Sequence, residues 1–448
     1  MNAWKVLTLL CLPCLLRADG ALPSLDLTQA QVEAASRNPD LRRLDAEIQA
    51  AEARAWLPLA GYLPTLGVGG QHLFSAQYGS MEISFPALGM NNLGFPGAFP
   101  QDTLDADIRW NLFDGLRGWK EWQAARAETK AARLDRGFAA YRLKQEVAVR
   151  FYKALAAQEL TDVAEQNVAT LDDHLQLAKA YEDSGSITHF YVLRVQAQRE
   201  EAAAGALQAA DQAGLARLDL AQAMGLSGDA RALDGNLPVP EGGQVSDDAV
   251  PDLNRREDLR ALGLRKQALQ RKATAQLSSW LPDVYLFADE QYYSYGDFNP
   301  EIEETKGPFT NAGLGFDRLY MTGFGVSWNL FNGGADVARL KDARAQVKAA
   351  NEGLTTARLA ALRDFDSWKR RFKDSARLYE ARLRVLEQCQ ESVRLAKMGV
   401  KAGTLTNSEL LDAELDLFRA RAGLVESQRD AAEAYLNIQL LKGGAPAP

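Results

Sequence analysis

The chain is short of cysteine, histidine and positive charge, and each shortage removes a class of function. Of its 448 residues only three are cysteine (Cys11, Cys14, Cys389) and three histidine (His72, His174, His189). Cys11 and Cys14 fall in a leader-like segment, which leaves Cys389 alone and allows no disulfide framework. The histidines are too far apart for metal-ligand spacing, so each reads as a structural or surface residue. No Walker A run, zinc-protease motif or nucleophile elbow occurs, so the sequence supports no catalysis and implies no cofactor. Lys and Arg number 51 against 59 Asp and Glu, a formal charge of −8, with a pI near 5.3 and no basic stripe. A nucleic-acid backbone would be repelled by such a surface. Beyond the leader, no apolar run approaches the ~18–20 residues of a spanning helix. A place in a membrane would therefore require a β-barrel.

At 47% hydrophobic and 25% charged residues, the chain is not disordered by composition. It begins "MNAWKVLTLLCLPCLLRADGALPS", with Lys5, an apolar run from Val6 to Leu16, and small residues at Ala18, Gly20 and Ala21. Residues 1–21 read as a secretory signal cleaved near Ala18–Ala21, too short to span a bilayer. A lipid anchor at Cys11 or Cys14 would lack the usual small residue just before it.

A sequence repeat organises the rest. "WNLFDG" at 110–115 returns as "WNLFNG" at 328–333, an offset of 218 residues (110 to 328). The same offset joins Asp40-Leu41 to Asp258-Leu259, Leu63-Pro64 to Leu281-Pro282, and the two "LAK" segments that begin at Leu177 and Leu395. It also joins Gly185 to Gly403, Thr188 to Thr406, and Gly225 to Gly443. A tandem duplication accounts for this, with repeats at 22–227 and 246–443, a Pro/Gly/Asp-rich linker at 228–245 and a tail at 444–448.

Each repeat is expected to open with a short helix. In the first, Thr28 and Gln31 match a capping box; Ser246 stands at the matching position in the second. A strand follows Pro64 or Pro282, then a Gly/Pro-rich loop, then a second strand that ends in the WNLF motif. Leu104, Ala106, Ile108, Trp110 and Leu112 alternate with Thr103, Asp105, Asp107, Arg109 and Asn111, which places one set on each face. Tyr320, Thr322, Phe324, Val326, Trp328 and Leu330 alternate in the same way. The other two strands centre on Leu66–Phe74 and Val284–Tyr292. All four are long enough to cross a bilayer when tilted, which takes ~9–11 residues. From Gly115 to about Asp183, and from Asp336 to Gly399, strong helix formers run almost without a breaker. About 65 residues at ~1.5 Å each make a rod on the order of 100 Å. Shorter helices return to about Gly225 and Lys442. Four strands cannot close a barrel, since about eight is the practical minimum, so the chain must share its barrel with copies of itself.

The duplicated "NPDL…LP" and "WNLF(D/N)G" segments, followed by "LAK…G(S/T)xT…L" hairpins, resemble the TolC-like outer-membrane efflux proteins over essentially the whole mature chain. The resemblance implies an α+β membrane protein and a homotrimer, in which each chain gives four strands to a 12-stranded outer-membrane barrel. Its long helices would form a hollow α-barrel in the periplasm. It further implies a passive exit duct, held in outer-membrane lipid, for substrates delivered by an inner-membrane pump through a periplasmic adaptor. The competing reading is a soluble periplasmic coiled-coil adaptor or scaffold, which explains the helices but not four two-faced strands.

The candidate sites follow. Gly185, Ser186 and Thr188, with Gly403, Thr404 and Thr406, form two helical turns. The resemblance makes them the periplasmic tip that touches the adaptor and closes the duct. Glu409 and Asp412 share a helix face there and match the acidic ring of family tips. Glu409 also fits a capping box with Thr406, so Asp412 is the better gate residue. Tyr191 and Arg194 are their first-repeat equivalents, and Arg194 is placed to pair with an acid. Trp110 and Trp328 suit a membrane-interface girdle. The loops Met81–Pro100 and Asp297–Arg318 are expected to face outside the cell.

Overall fold

The computed structural model describes residues 24–74, 81–85, 90–95, 102–228, 231–241, 244–246, 250–294 and 318–442. The expected signal segment with Cys11 and Cys14, the tail, Gly443 and much of the two outer loops lie outside these residues. The elements, in order, are α1 (Leu27–Arg37), α2 (Pro39–Ala60), β1 (Thr65–His72), β2 (Met81–Phe85), β3 (Met90–Phe95), β4 (Asp102–Phe113), α3 (Arg117–Asp183) and α4 (His189–Ala223). The second half gives α5 (Glu257–Ala275) with a 3-10 turn at Gln276–Trp280, β5 (Asp283–Ser294), β6 (Arg318–Ser327), α6 (Ala335–Lys401) and α7 (Asn407–Lys442). Among the described residues no helix is long and apolar enough to cross a membrane. The chain divides into two compact units, one of residues 44–136 and 257–359, the other of 1–43, 137–256 and 360–448.

The first unit holds a four-stranded antiparallel sheet in the order β1-β4-β5-β6, and β2 pairs with β3 as a separate hairpin. Strand register gives the sheet two distinct faces. Asp105 lies opposite Gly69 and Gln291, and Asp107 opposite Gly67 and Asp289, so these polar residues share one face with Arg109 and Asn111. The other face carries Leu66, Val68, Leu104, Ile108, Trp110, Leu112, Leu286, Phe324 and Val326, all left exposed by the chain itself. Apolar surface of this extent calls for a cover, and lipid is the cover that a barrel wall meets. A coiled-coil scaffold in water would leave that face bare, which sets the soluble reading aside.

In the second unit, Phe365 and Phe372 of α6 pack with Ala434 and Ile438 of α7 and with Val245, flanked by Trp368 and Tyr435. Residues expected as a bare linker are pinned there. Leu25 forms a parallel bridge to Leu233, Arg231 makes a two-bond contact with Glu33, and Gly235 passes over the ring of Phe151.

Four local expectations are corrected. The opening helix is two helices, because Asn38 precedes a proline and takes an extended conformation (φ −61°, ψ 124°). Its amide accepts from the Asp40 N–H at 2.8 Å and donates to the Ala223 carbonyl at 3.0 Å. The cap of α1 is Asp26, whose carboxylate accepts from the Gln29 N–H at 2.6 Å, in place of Thr28. Among the described residues the second half has no helix that starts next to Ser246; α5 begins at Glu257, at the position that corresponds to the start of α2. Finally, β4 runs through the whole WNLF motif, whereas β6 stops at Ser327 and leaves Trp328 just beyond it.

Candidate functional site: the helical tips and the strand-to-helix corners

The WNLF(D/N)G motif makes a corner in which each residue has a task. The Trp110 indole N–H donates to the Tyr62 carbonyl at 2.8 Å, and the Trp328 indole N–H to the Trp280 carbonyl at 3.2 Å. Each tryptophan thereby ties its strand to the chain just before the neighbouring strand. Gly115 (φ +69°) and Gly333 (φ +70°) turn the chain through the left-handed region. Asp114 then caps α3, accepting from the Gly118 N–H at 2.8 Å, while the Tyr62 hydroxyl donates to its other oxygen at 2.6 Å. Asn332 caps α6 through its side-chain oxygen, which accepts from the Asp336 N–H at 3.3 Å. The motif's Asp or Asn is a helix cap, and its Trp is a hydrogen-bonded strut.

The tips differ more between repeats. Gly185 (φ +74°) and Gly403 (φ +72°) both end a long helix in the left-handed conformation. The N–H groups of Ser186 and Thr404 reach back to Tyr181 and Gly399 at 2.8 and 2.9 Å. Thr188 stands at the cap position of α4 but makes no side-chain cap bond. Thr406 does cap α7: the Glu409 N–H donates to its hydroxyl at 3.2 Å, and the Glu409 carboxylate accepts from the Thr406 N–H at 2.7 Å. The Thr406 backbone bond, then its hydroxyl, holds the Glu409 carboxyl below its usual range. Glu409 is thus committed to the cap and leaves Asp412 as the acid of that face.

Arg194 of α4 reaches across to α7. One guanidinium nitrogen donates to the Ser408 hydroxyl at 2.9 Å, and the other stands 3.8 Å from the Asp412 carboxylate. Both side chains of the ion pair are well exposed, so the link is weak by itself. Tyr191 lies half-buried beside them, and burial pushes its phenol up.

A third linkage escaped the sequence reading. Glu414 of α7 is buried, bonded to His174 of α3, and lies 3.2 Å from Lys397 of α6. Burial pushes the Glu414 carboxyl up, but His174 and Lys397 outweigh it and hold the group below its usual range. One signal was available. Glu414 falls on the apolar stripe with Leu410, Leu411 and Phe418, where a carboxylate needs partners. Among the described residues no group of three or more His, Cys, Asp or Glu is placed to hold a metal ion.

Known proteins agree with this architecture. A family model described as outer membrane efflux protein matches residues 30–226 and again 252–444, once per repeat. The chain is 25% identical over 444 residues to the pyoverdine export outer membrane protein OpmQ of Pseudomonas putida, covering 95% of this chain and 87% of that one. It is 25% identical over 422 residues to protein CyaE of Bordetella pertussis, covering 91% and 82%. A crystal structure of CusC superposes with a TM-score of 0.74 at 16% identity, covering 96% of each chain. The molecule is an outer-membrane export channel, not an enzyme: its strands join a barrel wall, its helices extend into the periplasm, and it works with an adaptor and a pump. Two matches to one model, in register with the duplication and spanning most of the sequence, establish that the chain belongs to the outer membrane efflux protein family.

Proposed function

We propose that this exit duct is closed at the tips of its helical hairpins, and that the periplasmic adaptor docks on the same tips. The signal at 1–21 exports the chain, and each repeat (22–227 and 246–443) supplies one hairpin. The turns at Gly185, Ser186 and Thr188 and at Gly403, Thr404 and Thr406 are the docking points, with Phe190 beside them 76% exposed. The observation that carries the gate is the reach of Arg194 to Ser408 and Asp412, a contact between the two repeats at 2.9 and 3.8 Å. Opening the duct parts the hairpins and breaks it, with Tyr191 packed beside the contact.

The test is the Arg194→Ala, Asp412→Ala double variant in planar bilayers. An exposed pair contributes about 0.5 kcal/mol per chain, so three copies shift the open-to-closed ratio roughly tenfold. Conductance and open probability unchanged from wild type would remove these residues from the gate.

A further inference from the structure

The two partners of Glu414 are not equivalent. Lys397 and Glu414 belong to the same hairpin, α6 with α7, so their contact at 3.2 Å lies within one repeat. His174 comes from α3, so its bond joins the hairpin of the first repeat to that of the second. The site is enclosed: the His174 and Glu414 side chains keep 15% and 9% of their exposure. A buried carboxylate without a partner is strongly unfavourable, and each link therefore holds its helices together.

The imidazole bonds to Glu414 on α7. The same carboxylate is met by Lys397 on α6 and is felt by Tyr191 on α4, which also stands near Arg194 and Asp412. On α3 itself Asp172 is taken by Arg199 at 2.9 Å. Carboxylates, phenols, ammonium and guanidinium groups change charge outside the neutral range, whereas an imidazole changes within it. When the imidazole loses its proton, Lys397 still compensates Glu414, so each hairpin stays intact and only the link between them weakens. A cleft of about 680 Å³ between α3, α4 and α7 is walled in part by Asn167, Gln198, Glu414 and Phe418.

We propose that His174 is a positioning residue of the gate: a latch that holds the two hairpins together through Glu414 while protonated and releases them when neutral. The proposal rests on the reading that the duct closes at this end. Acid favours the latched state, and a rise through the neutral range favours opening. Linkage limits the response to tenfold per pH unit for each proton released.

The full-length trimer in planar bilayers, followed from about pH 5.5 to about pH 8.5, tests it. Wild type is expected to gain roughly tenfold in open probability across that range. His174→Gln keeps a hydrogen-bonding side chain without the titration and should be flat and high; His174→Arg, permanently charged, should be flat and low. A wild-type pH step surviving in His174→Gln overturns the latch. The failure of the gate reading looks different. In that case Arg194→Ala, Asp412→Ala conducts like wild type and no His174 variant moves the open probability. If the latch alone is wrong, the double variant still opens the duct and the pH step persists in His174→Gln.

Discussion

The two strand-to-helix corners share a backbone path and little of their side-chain chemistry. In the first, Tyr62 stands under Trp110, and its hydroxyl bridges Asp114 and the Trp119 N–H at 2.6 and 3.2 Å. In the second that place belongs to Trp280, which offers only its carbonyl to Trp328, and Asn332 turns to Asp336 instead. The first corner forces Leu116 to φ +64°, where the second has Gly334 at φ +84°. What both keep is the indole-to-carbonyl strut, a left-handed pair of residues and a capped helix. The duplication thus preserved a geometry while the groups that stabilise it diverged, and substitutions at matched positions should expose the difference.

The largest contrast is expected at the first left-handed glycine. A Cβ on Gly115 would stand 2.8 Å from the Ser278 Cβ and 3.0 Å from the Ser278 carbonyl oxygen, with little room for either to yield. Around Gly333 nothing lies within 4 Å. Gly333→Ala therefore meets only the conformational cost, about 1 kcal/mol. Gly115→Ala adds overpacking and should lose about 3 kcal/mol in all. Heat denaturation of the detergent-solubilised trimer measures both, and equal losses would mean that the corners are packed alike.

Tyr62→Phe comes next, with no counterpart in the second corner. It removes a bond to a carboxylate worth about 1–2 kcal/mol. Burial, then the bond to Asp114, pushes the Tyr62 phenol from 10 to about 12. A group raised on folding gives stability that is complete below its unfolded value, and this stability is lost as pH rises through the folded one. Wild type should therefore lose stability between pH 10 and about pH 12. The Tyr62→Phe protein should lack that component, and the same alkaline loss in both proteins would assign it elsewhere.

Legibility in the sequence followed the range of the interaction. The long helices were readable because strong formers run unbroken from Arg117 to Asp183 and from Ala335 to Lys401. The strands were readable because alternation is a local signal, as in Leu104 to Leu112. Caps were less so: Asp26 outcompeted Thr28 only because the chain entering α1 places its carboxylate at the Gln29 N–H. The repeat offset misled at Ser246, since the helix described after it, α5, begins at Glu257. The tip turns were visible in their glycines, but the link between His174 and Glu414, 240 residues apart, leaves no local pattern. The indole bonds were hidden for the same reason. Tryptophan on an apolar face has reason enough to be there, and its N–H partner lies 48 residues back.

The smallest contrast is at the second left-handed position, and there two costs oppose each other. Leu116 holds φ +64°, a conformation that costs an L-residue about 1–2 kcal/mol. Replacing it with glycine, as at Gly334, relieves that strain but enlarges the unfolded ensemble, which costs about 0.4–1 kcal/mol. Leu116 is half exposed, so little packing is lost. Leu116→Gly should then stabilise the trimer by a few tenths of a kcal/mol, and Gly334→Leu should destabilise it by a similar amount. Opposite signs from thermal melts of the two variants would show that the strain is local to the backbone. A loss in both would mean that the Leu116 side chain has a role of its own, and the first corner would then differ from the second in packing as well as in hydrogen bonding.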